Sequence, residues 1–275
     1  MTGTVQHGPA GDGRSPGATR PLDGKVALVA GATRGAGRQI AVQLGAAGAT
    51  VYATGRSTRA HRSELDRPET IEETAELVTA AGGTGIAVRV DHLVPDEVRA
   101  LVERIDRDHG RLDVLVNNAG VGAGEPIHEL TTKKLDLQLG ANLRHIPLFY
   151  REAHDLLVAA GAEHGNALVV NTSSISGKRG EAWLSVYSAT KHAVVGFTQA
   201  MNKELGARYV KSCALCPAFV DTPMTDFVKG AVPPEKMITT ADIAEMVRAL
   251  LRLSPGCTVP EIVFEQTGFE IGQSL

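Results

Sequence analysis

The sequence predicts an α/β fold of the doubly wound, Rossmann type: a seven-stranded parallel sheet with helices on both faces. Three observations carry this expectation. Short apolar runs alternate with longer stretches of helical period along the chain. The first of those runs feeds a glycine-rich turn and then an Ala/Leu-rich stretch. At 275 residues and 43% hydrophobic composition, the chain can bury one sizeable core. Residues 1–21, rich in Gly, Pro, Ser and Thr, read as a disordered N-terminal tail, and residues 22–275 as a single domain.

The bulk numbers exclude several functions. A formal net charge of −3 gives no pull toward nucleic acid or anionic membranes. No apolar run approaches the ~20 residues of a membrane span. The tail lacks the apolar core of a signal peptide, and three cysteines without an export signal point to a reducing, cytoplasmic location. Cys213-x-x-Cys216 has metal or redox spacing, but it lies in an apolar run without a second pair and reads as buried thiols. None of the nine histidines forms a ligand-spaced cluster, so no metal is expected.

Taken in order, Lys25-Val26-Ala27-Leu28-Val29-Ala30 reads as a strand buried on both faces. Gly31-Ala32-Thr33-Arg34-Gly35-Ala36-Gly37 follows, then a helical stretch ending near Gly48. Strand, glycine turn and helix N-terminus are the context of a phosphate-cradling loop, here spaced G-x-x-x-G-x-G. The second strand, Thr50-Val51-Tyr52-Ala53-Thr54, leads to Gly55-Arg56. A carboxylate some 20 residues past such a loop would hold the ribose 2′-hydroxyl of NAD. Arg56 stands there instead, and Arg34 lies in the loop; two guanidinium groups suit a 2′-phosphate, favouring NADPH, with NAD as the alternative.

Residues 57–67 read as a charged loop, with Arg59 and Arg62 solvated, and a helix runs from Pro68 to about Ala81. Ile86-Ala87-Val88-Arg89-Val90-Asp91 is the third strand, with Asp91 placed to accept from the adenine amino group. A helix over 95–109 precedes the fourth strand, Leu112-Asp113-Val114-Leu115-Val116, and Asn117-Asn118-Ala119-Gly120. There Asn117 can stitch adjacent strands, while Ala119 and Gly120 let a cofactor pass close by. A long helix over 131–160, bent at Pro147, carries Asn142; the amide needs a partner if buried.

The fifth strand runs from Ala167 to Ser174. A helix opening near Val186 carries Tyr187 and Lys191, four apart and on one face. A phenol of pKa about 10 is a poor acid or base at neutral pH, and a neighbouring ammonium would pull that value down. Ser174, thirteen residues before Tyr187, can return beside the phenol through the connecting loop. The sixth strand ends at Pro217-Ala218-Phe219-Val220-Asp221-Thr222, and residues 223–234 read as a flap over a pocket. A helix over 239–253 and a strand over 261–265 complete the domain.

Together, in this order, the glycine loop, Asn117-Asn118-Ala119-Gly120, Ser174, Tyr187-x-x-x-Lys191 and Pro217…Thr222 resemble the single-domain short-chain dehydrogenase/reductase family over about residues 22–265. The resemblance implies a catalytic set of Asn142, Ser174, Tyr187 and Lys191 and hydride transfer between nicotinamide and a carbonyl or secondary alcohol. It implies a cofactor site of Gly31, Thr33, Arg34, Gly35, Ala36, Gly37, Arg56, Asp91, Asn118, Ala119, Gly120, Tyr187, Lys191, Pro217, Val220 and Thr222. In that scheme Ser174 holds the carbonyl, Tyr187 passes the proton, Lys191 holds the ribose, and Asn142 anchors a water leading protons to Lys191. Val220 and Thr222 fix the nicotinamide amide. The family also implies a homodimer or homotetramer. Three departures stand out: Ala30 replaces the usual Thr, Ala218 the usual Gly, and the tail after Phe264 lacks the usual Gly-rich ending.

Ile175, Trp183, Leu184, Phe219, Met224 and Phe227 are the expected pocket residues, suited to an apolar small-molecule substrate such as a ketone, ring or ketoacyl compound. The competing reading is a catalytically silent dinucleotide-binding regulator on the same fold. An intact Tyr187 and Lys191 count against it.

Overall fold

The computed structural model describes residues 20–62, 67–122 and 124–267. The expected tail therefore lies outside the described residues, except for Arg20 and Pro21, which open a turn. Leu22 pins that turn by donating its N–H to the Ala47 carbonyl at 2.9 Å.

Seven strands pair in parallel in the order β3-β2-β1-β4-β5-β6-β7. They are β1 (Val26–Ala30), β2 (Thr50–Gly55), β3 (Thr84–Arg89), β4 (Val114–Asn117), β5 (Ala167–Thr172), β6 (Val210–Pro217) and β7 (Glu261–Phe264). The helices are α1 (Gly35–Ala46), α2 (Ile71–Ala80), α3 (Pro95–His109), α4 (Thr132–Leu139), α5 (His145–His164), α6 (Ser185–Leu205) and α7 (Thr240–Leu251). Because side chains alternate along a strand, β1 sends Ala27 and Val29 to one core, and Val26, Leu28 and Ala30 to the other. The first core packs against α1, α2 and α7, the second against α3, α5 and α6. This is the doubly wound architecture expected.

The chain reverses direction in the sheet between β1 and β4, which opens a crevice at their C-terminal ends. Asn117 pairs in register with Ala30 and Asn171, and its amide donates to Asn171 Oδ1 at 2.8 Å. The stitch between strands is thus present. Cys213 and Cys216 are buried in β6 with free thiols, and burial pushes the Cys213 thiol up to about 12.

Two boundaries differ from expectation. The expected helix over 131–160 is continuous from Thr132 to His164, but its irregularity is a π-turn at Gly140–Arg144, between α4 and α5, and not a bend at Pro147. The wider turn follows from the side chain at its centre. Asn142 is fully buried and its Oδ1 accepts from the Val121 N–H at 2.8 Å, a bond that ties the turn to the loop after β4. β5 stops at Thr172, so Ser174 lies two residues past the strand, capping a short 3₁₀ turn at Ile175–Gly177.

Candidate active site

The glycine loop is shaped by what it touches. Gly31 has φ of 86°, and a Cβ there would lie 2.6 Å from the Ala119 nitrogen. A Cβ on Gly37 would lie 2.2 Å from the Gly31 carbonyl oxygen and 2.4 Å from the Asn118 amide. One on Gly35, at φ of 56°, would meet the Thr222 methyl at 3.2 Å. Two segments distant in sequence, Asn118–Ala119 and Thr222, therefore close on one loop. Asn118 locks the arrangement, donating to the Gly31 carbonyl at 3.0 Å and accepting from the Thr172 hydroxyl at 3.1 Å. Arg34 is the N-cap of α1 without a side-chain cap, and the first turn holds no acidic residue. Its N–H groups and dipole are thus disposed toward an anion.

Charge around this cradle is unequal. Arg34 Nε stands 3.8 Å from Glu69 Oε2, neither atom forms a hydrogen bond, and burial lowers the Arg34 pKa. Arg56 is half-buried just past β2, and Asp91 lies two residues past β3; both act electrostatically on His92. Asp91 Oδ1 accepts from the Leu93 N–H at 3.0 Å. Arg59 is turned away from the loop, paired with Glu76 at 2.7 Å on the surface of α2. Arg38 was not singled out from sequence, yet it staples the loop. Its guanidinium donates to the Thr33 carbonyl at 2.9 Å, the Thr74 hydroxyl at 3.0 Å and the Glu73 carboxylate at 2.9 Å.

At the other end of the crevice, a Cβ on Gly120 would be 3.1 Å from Asn142 Oδ1 and 3.7 Å from Lys191 Nζ. Asn142 Nδ2 reaches the Thr190 hydroxyl at 3.5 Å. Lys191 is buried and donates to the Thr172 carbonyl at 2.8 Å, with Nζ 5.6 Å from the centre of the Tyr187 ring. Burial lowers its pKa to about 8. The Ser174 hydroxyl accepts from the Ser176 N–H at 3.1 Å and also bonds the Tyr187 phenol. The structure corrects one expectation here. Burial raises the Tyr187 pKa above its ordinary value, and the opposing pull comes from Ser174. Lys191 is not among the groups that set this shift in the protein alone.

Pro217 ends β6, Val220 forms a bridge with Ile238, and Thr222 caps the 3₁₀ segment Pro223–Val228. The mouth is rimmed by exposed apolar side chains: Trp183 at 65%, Met224 at 51% and Phe227 at 79%. Trp183 adopts φ of 63°, and its carbonyl accepts from the Glu125 N–H at 2.8 Å. One expected pocket residue packs elsewhere: Phe219 lies against Val228, Val232 and Met237, by the flap. Sequence reasoning also passed over His92 and His145, buried histidines whose meeting depends on how the segment after β3 packs on α5.

The family model for short chain dehydrogenase matches residues 25–231. A 3beta-hydroxysteroid dehydrogenase of Mediterraneibacter gnavus is 37% identical over 209 residues, which are 74% of this chain and 69% of the relative. A putative ketoacyl reductase of Streptomyces coelicolor is 34% identical, over 83% of this chain and 90% of the relative. Among solved structures, a metagenomic short-chain oxidoreductase in complex with NADP aligns with a TM-score of 0.74 at 29% identity, covering 90% of this chain and 99% of that one.

Proposed function

The chain belongs to the short-chain dehydrogenase family of oxidoreductases, and from that premise we propose that it reduces the carbonyl of a largely apolar small molecule with NADPH, reversibly. The observation that carries this reading is the convergence of Gly120, Asn142, Lys191, Tyr187 and Ser174 at one end of the glycine-loop crevice.

The crevice fits a dinucleotide. Any side chain at Gly31 or Gly37 would strike backbone, so the loop stays low enough for a pyrophosphate to lie against the first turn of α1. Arg34 and Arg56 would take the 2′-phosphate, Asp91 the adenine, Asn118, Ala119 and Gly120 the ribose side of the groove, and Pro217, Val220 and Thr222 the carboxamide. Bound NADPH supplies a hydride to the carbonyl carbon.

The remaining chemistry belongs to the chain. Ser174 accepts from the Ser176 N–H, and its own proton, aimed at the Tyr187 phenol in the protein alone, would turn to the substrate oxygen when a carbonyl lies between them. Tyr187 gives its proton to that oxygen as negative charge develops on it, and the raised pKa keeps the phenol protonated at neutral pH. Lys191 holds the ribose hydroxyls and returns a proton to the phenolate; Asn142 fixes the loop at Val121 and orders water beside Lys191. Running backward, the same groups oxidise a secondary alcohol. The apolar rim, with a steroid dehydrogenase and a ketoacyl reductase among the relatives, supports a bulky ketone, ring or ketoacyl substrate. We read residues 22–275 as one catalytic domain, acting as a homodimer or homotetramer.

The test is loss of cofactor absorbance with NADPH and with NADH across ring ketones, aldehydes and ketoacyl thioesters. NADPH is expected to win. Replacing Arg34 and Arg56 by Ala is expected to raise the NADPH KM by about 10–100-fold, the worth of a charge-assisted bond, and leave the NADH value unchanged. Equal losses for both cofactors would refute the assignment of the arginines.

A further inference from the structure

Trp183 is the single tryptophan of the chain, and 65% of it is exposed. It precedes the N-cap of α6 and lies four residues before Tyr187. Its backbone is in the left-handed region, at φ of 63°, which a bulky L-residue adopts only when its surroundings impose it. The restraints are visible. The Trp183 carbonyl accepts from the Glu125 N–H at 2.8 Å, and the Leu184 N–H donates to the Glu181 carbonyl at 3.1 Å. A Cβ on Gly124 would lie 2.8 Å from Leu184 and 3.3 Å from the Trp183 carbonyl. Backbone strain and close packing thus serve to hold an indole out of the core. A ligand for the indole accounts for that arrangement where folding stability does not.

The flap supplies a second apolar group, with Met224 51% and Phe227 79% exposed. Met224 closes over Gly122, where a Cβ would meet its Cγ at 3.6 Å and its Sδ at 3.7 Å. Gly122 lies two residues from Gly124 and two from Gly120, and Gly120 faces Asn142 and Lys191. The segment that leaves the catalytic end at Gly120 therefore meets the flap at Gly122 and the Trp183 turn at Gly124 and Glu125. The exposed apolar groups are continuous with the end of the crevice that holds Lys191 and Tyr187.

Charge at this mouth is paired. Lys178 holds Glu261 at 2.8 Å, Arg179 holds Glu181 at 2.8 Å, and Lys229 holds Asp221 at 2.9 Å and Asp226 at 3.0 Å. These are the lysines and arginines of the rim segments 118–130, 174–184 and 217–232, in which acids outnumber bases five to three. Arg67 reaches the flap from outside and is paired as well, with Asp226 at 3.2 Å. An acyl thioester of coenzyme A, or of a carrier's phosphopantetheine arm, brings phosphate to the mouth. Phosphate is drawn to free guanidinium and ammonium groups. This rim presents apolar side chains and an excess of acids instead.

We propose that the substrate is a free, uncharged ketone on a fused ring system, gripped by Trp183 together with Met224 and Phe227, and that phosphate-bearing acyl thioesters are rejected. This rests on the reductase reading above and narrows its substrate to one of the classes named there. A fused ring system is rigid, so it loses little conformational freedom on binding, and its broad apolar face suits an indole. The three rim residues set specificity through binding alone; hydride and proton transfer stay with the groups at the catalytic end.

Because Trp183 is the single indole, its fluorescence reports the grip without turnover. Titrating trans-1-decalone, a fused bicyclic ketone, into the protein–NADP+ complex is expected to change Trp183 emission saturably, and acetoacetyl-coenzyme A is not. In the NADPH assay, kcat/KM for decalone is expected to exceed that for acetoacetyl-coenzyme A by about tenfold or more, with the uncharged acetoacetyl-N-acetylcysteamine thioester between them. Trp183→Ala and Phe227→Ala are each expected to raise the decalone KM about tenfold with kcat retained, and Trp183→Phe to restore most of the loss. Acetoacetyl-coenzyme A reduced as well as decalone would overturn the proposal and leave the reductase reading standing. A wild-type KM in Trp183→Ala would overturn it too. Emission that responds to protein concentration and not to ketone would make the rim an interface between copies, and would likewise overturn it. Saturable quenching by decalone with no carbonyl reduced by either cofactor would uphold the ring site and refute the reductase reading.

Discussion

Lys191 carries the largest electrostatic cost at the site: an ammonium enclosed by protein, steadied by the Thr172 carbonyl at 2.8 Å. Its pKa of about 8 means that the ammonium proposed to hold the ribose is charged below that pH and loses its charge as pH rises through it. kcat/KM for carbonyl reduction, which reports the free enzyme, is expected to hold across neutral pH and to fall above about 8. A profile flat to pH 10 would show that Lys191 stays charged or is not needed. Tyr187, with its pKa raised, is protonated throughout that range and does not cause the fall. At this scale the sequence was informative where chemistry follows from residue type and spacing, as in Tyr187-x-x-x-Lys191. It was uninformative for Arg38, whose partners Thr33, Glu73 and Thr74 come from two elements. The Arg34–Glu69 pair was hidden for the same reason.

Elements position the site through backbone approach more than through side-chain bulk. α1 approaches the segments that follow β1 and β4 as closely as it does because Gly37 lacks a Cβ, which would sit 2.2 Å from the Gly31 carbonyl oxygen. Gly37→Ala is therefore expected to push the helix away, costing about 1–3 kcal/mol and weakening NADPH binding. A thermal melt and a cofactor titration check both, and an unshifted melt would contradict the packing. The glycine spacing made this loop legible in sequence. The π-turn was not, because it arises from the bond between Asn142 and the Val121 N–H, twenty-one residues apart. Pro147 drew attention as a helix breaker, and it lies just after the π-turn, at the third position of α5.

Across the molecule, the two ends of the sheet do different work. Chemistry gathers beyond the C-terminal ends, and the other end carries an ionic cluster. There Asp113 accepts from the Val26 N–H at 2.8 Å and faces Lys25, Arg111 and His164. The doubly wound parallel sheet followed from apolar runs alternating with helices, but the meeting of His92 and His145 across the second core did not. Their burial has a global consequence. In the unfolded chain each binds a proton near pH 6.5, whereas in the fold they do so only at about 4 and about 3. Below pH 6.5 the unfolded state binds more protons, so stability falls as pH drops, by an amount on the order of a few kcal/mol. Melting temperatures from pH 7 to 4 are expected to decline in the wild type and less so in His145→Leu; parallel curves would contradict this.

The central claim is that Tyr187 delivers the proton in a hydride transfer. It is tested most directly by single-turnover decay of NADPH absorbance with a ring ketone, comparing wild type with Tyr187→Phe at equal cofactor saturation. The expected result is a rate lower by about 10²–10⁴-fold with NADPH affinity retained. A Phe variant that turns over at the wild-type rate would contradict it.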